Sequence, residues 1–132
     1  VLFSTKAIDF NKTNGLASPE KEEKCLKCHS TEYMMKGTPK GQFFNITEGI
    51  GCESCHGAGS EYSSAEIMKE ESSFIRSGGV KGDEKTCLKC HNAKGNKEKT
   101  LKEDVCPFQP DDFEYNSAFE KIKHPLSNEF KK

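Results

Sequence analysis

Six of the seven cysteines fall into three copies of one pattern: Cys25-Leu26-Lys27-Cys28-His29, Cys52-Glu53-Ser54-Cys55-His56 and Cys87-Leu88-Lys89-Cys90-His91. Each is C-x-x-C-H, the signature of covalent haem attachment. Two thiols a helical turn apart can add to the two vinyl groups on one haem edge. The tether then holds the next residue's imidazole against the iron. Cys25 with Cys28, Cys52 with Cys55 and Cys87 with Cys90 are therefore expected to carry three haem c groups, with His29, His56 and His91 as proximal ligands. Paired C-x-x-C units also build zinc ribbons or, in exported proteins, disulfide frameworks. Neither alternative explains a His after every pair. Three of the four histidines stand there, which random placement would give on the order of once in ten thousand or less.

Three irons have three further axial positions to fill, and His124 is the only histidine left for them. At most one haem can then be bis-His from within the chain. His124 is expected to be a distal ligand, assigned here to the haem held by His91. The competing reading is a surface His at a helix end beside Pro125. For the other irons the candidates are Met34, Met35, Met68 and Cys106. A thioether ligand raises the reduction potential, although methionines among apolar residues also serve packing. Met34 and Met35 follow His29 too closely to cross to the far side of that haem. Cys106, the unpaired seventh, has three readings: a buried or surface thiol, a distal thiolate, or half of an intermolecular disulfide. Tyr33 and Tyr62 are expected to hydrogen-bond to propionates or to a bound ligand. The haem on Cys25 and Cys28 is expected to lack a strong distal ligand, beneath an apolar loop carrying Phe43, Phe44 and Ile46.

The elements that must position these residues come from a chain of 132 residues, close to the size of one domain. With 33% hydrophobic residues, no Trp and a mean hydropathy of -0.80, it has too few apolar side chains for an ordinary interior. Three flat apolar macrocycles would supply the rest. The expected class is therefore mainly α with extensive irregular loops, a haem-filled core and little or no sheet. Twenty basic against 21 acidic residues give a net charge of -1 and no basic surface for nucleic acid. Haem propionates would carry the loaded protein to about -4, favouring basic redox partners. No apolar run is long enough to span a membrane. The chain also opens without an initiator Met or a basic-plus-apolar leader, as either a processed or a trimmed chain would.

Along the chain, residues 1–17 read as an extended arm. Ser18 as N-cap and Pro19 in the first turn open a helix through His29. Residues 36–51 form a glycine-rich loop. Ser63 or Ser64 caps a helix carrying Ile67, Met68, Phe74 and Ile75, which Gly78-Gly79 ends. Asp83 caps a short helix into the third motif. A Lys-rich loop, 94–102, follows, and Ser117-Ala118-Phe119-Glu120 forms the capping box of a last helix that stops before Pro125. Asn11-Lys12-Thr13 and Asn45-Ile46-Thr47 match glycosylation sequons, set aside because covalent haem points to a prokaryotic source.

The segment Gly49-Ile50-Gly51-Cys52-Glu53-Ser54-Cys55-His56-Gly57-Ala58-Gly59-Ser60-Glu61 resembles the G-V-x-C-E-x-C-H-G-P-G-S-E segment of the cytochrome c-554 family of multihaem cytochromes. The tail is similar too, with Pro107-Phe108-Gln109-Pro110 and then Phe113, Phe119, Lys121, Lys123 and His124. The resemblance spans roughly residues 24–126. It implies an electron-transfer cytochrome with stacked haems, some bis-His and one five-coordinate. Two departures stand out: the family's first haem motif has no counterpart, and Tyr62 stands where relatives often have a distal His. The chain thus looks like a trihaem variant.

The expected function is a periplasmic or extracellular carrier that passes single electrons between redox partner proteins. An alternative is binding or reduction of a small molecule such as nitric oxide at an open haem, although no acid/base set is visible around one. A third is a subunit of an oligomer whose neighbour donates the missing distal ligands.

Overall fold

Short helices joined by irregular stretches make up the chain, and no strand occurs among the described residues. The computed structural model describes residues 1–37, 45–91, 106–108 and 113–124. This is the mainly α, sheet-poor class the sequence leads one to expect. No helix among the described residues is long and apolar enough to cross a membrane.

The expected extended arm is instead helical. Helix α1, Thr5–Thr13, is capped by Ser4, whose hydroxyl accepts the Ala7 N–H. It ends at Asn14 and Gly15, where φ of 65° suits glycine. Its inward stripe runs Ala7, Phe10 and Asn11, so a polar residue holds a position that apolar periodicity would need. Asn11 is buried, and its amide donates to the Ala17 carbonyl at 2.7 Å. The first sequon is thus committed to the interior.

Helix α2, Glu23–His29, starts later than expected, with Glu22 as its cap. The Lys21 and Glu22 N–H groups both bond to the Ser18 carbonyl, closing a separate turn around the buried Pro19. Helix α3, Thr31–Met34, follows after Ser30, and a 3-10 turn spans Ile46–Glu48. Helix α4, Glu53–His56, carries the second motif. The helix expected from Ser63 or Ser64 to Gly78-Gly79 is capped by Ser64 and divides into α5, Ala65–Lys69, and α6, Glu71–Arg76. Glu70 breaks it. At φ -119° and ψ 109° its carboxylate accepts the Ser72 and Ser73 N–H groups, so it caps α6. Hydrogen bonds from the Ser73 and Ser72 side chains, and then from their N–H groups, hold its pKa at about 2. Asp83 caps α7, Glu84–Leu88, as expected, through the Thr86 N–H. Helix α8, Tyr115–Ile122, is capped by Glu114, which places Ser117 inside the helix instead of at its start. Phe43, Phe44, the Lys-rich loop and Pro125 lie outside the described residues.

Apolar burial is sparse. Among the described residues the buried hydrophobic side chains are Leu2, Leu26 and Tyr62, while Ile8, Met68, Ile75 and Ile122 are exposed. Hydrogen-bond hubs do much of the holding instead. Thr31, directly after the first motif, is buried, and its hydroxyl makes three hydrogen bonds. It donates to the Gly49 carbonyl at 3.0 Å and accepts the Gly51 N–H at 2.7 Å; the Ser54 hydroxyl lies at 2.7 Å. One hydroxyl has one donor and two acceptor sites, so all are used. Through them the end of the first motif is tied to the start of the second.

Candidate haem attachment sites

Each C-x-x-C-H motif folds as a helical turn. The His56 N–H bonds to the Cys52 carbonyl and the His91 N–H to the Cys87 carbonyl, both at 2.9 Å. The first motif lies within α2. A spacing of three puts the two sulfurs of each pair on one side of its turn, with the imidazole following. That is the geometry two thioether bonds to one haem edge require.

The motifs meet at their cysteines. Cys28 Sγ lies 3.9 Å from the Lys89 carbonyl, and Cys28 hydrogen-bonds to the Cys90 side chain. That bond, then burial, then the neighbouring Cys28 and Cys55 sulfurs push the Cys90 thiol well up. Burial, and secondarily Cys55, raises Cys87. Burial raises Cys25 against a hydrogen bond from Asn11. His29 is pushed below its ordinary pKa mainly by burial, with His91 contributing. Yet no group of three or more Cys, His, Asp or Glu among the described residues is placed to hold one metal ion. No disulfide joins any of the seven cysteines. The zinc-ribbon and disulfide readings therefore gain nothing from the structure.

His56 is the most fully positioned of the three imidazoles. Its Nδ1 lies 2.8 Å from the Val80 carbonyl. A carbonyl can only accept, so Nδ1 carries the proton and Nε2 keeps its lone pair, the form in which a histidine ligates a metal. The Val80 N–H in turn bonds to the His56 carbonyl at 3.0 Å. Residues 56 and 80 thus clasp each other twice. Two glycines deliver Val80: Gly78, at φ 85°, ends α6, and Gly79 leaves room for the Phe74 ring, which a Cβ would meet at 2.3 Å. Phe74 stands edge-on to His56, centroids 5.7 Å apart, and to Tyr62 at 4.8 Å.

The resemblance segment also has a local logic. Glu53 accepts the Gly59 N–H at 2.6 Å, and a Cβ on residue 59 would lie 3.1 Å from that carboxylate. Gly57, at φ 78°, turns the chain back. Tyr62 is buried and donates to the Gly57 carbonyl, so its hydroxyl serves this turn and not a propionate. Tyr33 packs its ring beneath Lys36.

The remaining candidates are dispersed. His124 follows α8 and stands beside His56, with ring centroids 6.1 Å apart; the ring stacked on His91, at 4.7 Å and 14°, is that of Phe113. Cys106 lines a cleft of about 550 Å³ together with Cys25, Cys28, His29, Phe10 and Phe108. Met34 ends α3, half-buried Met35 follows it, and Met68 is exposed on α5. His29 also borders a second cleft of about 620 Å³, lined by Leu2, Phe3 and residues 46–50. Sequence reasoning missed Val80, Phe74, Thr31 and Asn11. The Gly78-Gly79 pair was the available signal for the first two, but it reads equally as a simple helix stop.

Three thiol-paired helical turns, each ending in an imidazole, with no strand among the described residues, are the marks of a c-type cytochrome. A family model described as cytochrome c554 and c-prime matches residues 3–57. That span holds α1, the first motif and the second motif to just beyond His56, and over it the chain is similar to that family. The similarity supports covalent haem c and an electron-transfer role. Neither a curated protein nor a solved structure matches the chain.

Proposed function

We propose that the chain is a trihaem c-type cytochrome, periplasmic or extracellular, that relays single electrons between redox partner proteins. The observation that carries this reading is the convergence of the three C-x-x-C-H turns, with Cys28 Sγ 3.9 Å from the Lys89 carbonyl of the third motif, within hydrogen-bonding reach of the Cys90 thiol, and Cys55 alongside. Bound haem supplies the one-electron ferric/ferrous couple. The residues do the rest. Six cysteines fix three haem edges within a short distance of one another, and His29, His56 and His91 supply the proximal nitrogens. Val80 sets the His56 tautomer. Denaturing mass spectrometry tests the count: three increments of about 0.6 kDa, retained through acid-acetone extraction, are expected. Two or fewer would overturn the trihaem assignment.

A second reading, capture of a small diatomic ligand at the haem on Cys25 and Cys28, draws on the second cleft beside His29. Its described lining offers no imidazole, thiol or thioether besides His29 itself. Carbon monoxide should shift the Soret band of the reduced protein by the contribution of one haem. An unchanged band would leave electron relay alone.

A further inference from the structure

We propose that His124 and His56 are the two axial ligands of one iron, so that the haem on Cys52 and Cys55 is the bis-His member of the set. This rests on the reading that Cys52 and Cys55 carry a haem at all. The measure is the separation of the two rings. Metal–imidazole bonds are about 2.0 Å, and a ring centre lies a further ~1.1 Å beyond its nitrogen. Two imidazoles on opposite faces of one iron therefore have centres about 6.2 Å apart. His56 and His124 are at 6.1 Å, with planes inclined by 61°.

The surroundings favour a ligand pair over a casual edge-on contact. His56 has its Nδ1 committed to the Val80 carbonyl, leaving Nε2 as the free donor. Phe74 holds the His56 ring edge-on and is itself fixed by Tyr62 and by the bare Gly79. On the other side, α8 is anchored at its start by the Glu114 cap, and the chain leaves it through Lys123 in an extended conformation, φ -57° and ψ 128°, which turns the next residue off the helical path. His124 is not on the stripe that Phe119 and Ile122 define, and this exit from the helix is what brings it to His56. On this proposal His124 serves the haem of His56 in place of the expected haem of His91, whose imidazole is stacked on Phe113. With four histidines in the chain, the pairing leaves the haems of His29 and His91 with no second imidazole of this chain.

The test uses the mature holoprotein and two substitutions. In H124A, low-temperature paramagnetic resonance of the oxidised form should lose one low-spin signal and gain one high-spin signal, with all covalent haem retained by mass, and added imidazole should restore the low-spin signal. In H124M, proton spectra of the fully reduced protein should show an upfield-shifted methionine methyl. Its Overhauser contacts should run to the meso protons of the haem whose thioether bridges belong to Cys52 and Cys55. Contacts to the haem of Cys87 and Cys90 would overturn the pairing, as would an H124A spectrum unchanged from the parent. A protein with no covalent haem at Cys52 and Cys55 would overturn the underlying haem reading, which mass mapping of that peptide reports separately.

Discussion

Thr31→Val replaces a hydroxyl with a methyl of nearly the same size and so isolates the hydrogen-bond hub between the first two motifs. Three bonds are lost, to Gly49, Gly51 and Ser54. At about 1 kcal/mol net for each, the upper figure is about 3 kcal/mol. Two of the partners recover part of it. The Gly49 carbonyl keeps the Thr31 N–H at 2.9 Å, and Gly51 is exposed enough for its N–H to take a water. The expected cost is therefore about 2 kcal/mol, large against the marginal stability of a domain. Guanidinium unfolding of the oxidised holoprotein, followed by far-ultraviolet and Soret circular dichroism together, gives the number. Thr31→Ser keeps the hydroxyl and should cost less than half as much. Ser54→Ala should cost about 1 kcal/mol, and the double variant Thr31→Val/Ser54→Ala should fall short of the sum, since one bond is counted twice. A Thr31→Val protein within 0.5 kcal/mol of the parent, by this order-of-magnitude scale, would refute the claim that this hydroxyl joins the two motifs.

Gly79→Ala puts a methyl into the Phe74 ring and should destabilise by about 1–3 kcal/mol through overpacking; Gly82→Ala, whose Cβ would meet Cys55 at an ordinary 3.7 Å, serves as the control in the same melts. Glu70 should titrate with a midpoint at about 2 in carboxyl-detected magnetic resonance. Its folded pKa lies below the unfolded value, so its cap is fully present above about 4.5 and fades as pH falls through about 2. A midpoint near 4.5 would mean that α5 and α6 are not divided as described. Asn11→Leu should destabilise α1 by about 1 kcal/mol despite adding apolar volume, because the Ala17 carbonyl loses its donor; unfolding midpoints report it.

What could be read in the sequence was the chemistry that depends on residue type at fixed spacing. The three C-x-x-C-H turns, the Asp83 cap and the lack of sheet among the described residues follow from local rules. What escaped depended on carboxylates competing with the expected caps. Glu22, Glu70 and Glu114 each cap a helix where Ser18, an uninterrupted helix and Ser117 had been expected. A glutamate is an ordinary helix former by propensity, so its use as a cap is set by the conformation of the residue itself. Helix α1 was hidden because Asn11 stands on its inner stripe. The approach of residue 80 to residue 56, and of His124 to His56, is tertiary and leaves no mark in spacing.

The sparse apolar interior bears on how such a chain survives its own synthesis. Among the described residues, the buried hydrophobic side chains Leu2, Leu26 and Tyr62 cannot by themselves offset the ordering entropy of their segments. On the proposed trihaem reading, maturation and folding would then be coupled: the polypeptide would meet its haems loosely folded, with its paired thiols accessible, and gain cooperativity as each tether closes. A molecule that misses one haem would open more often and be cleared by housekeeping proteases. Cofactor supply would in this way set protein abundance directly, with degradation acting as the inspection step.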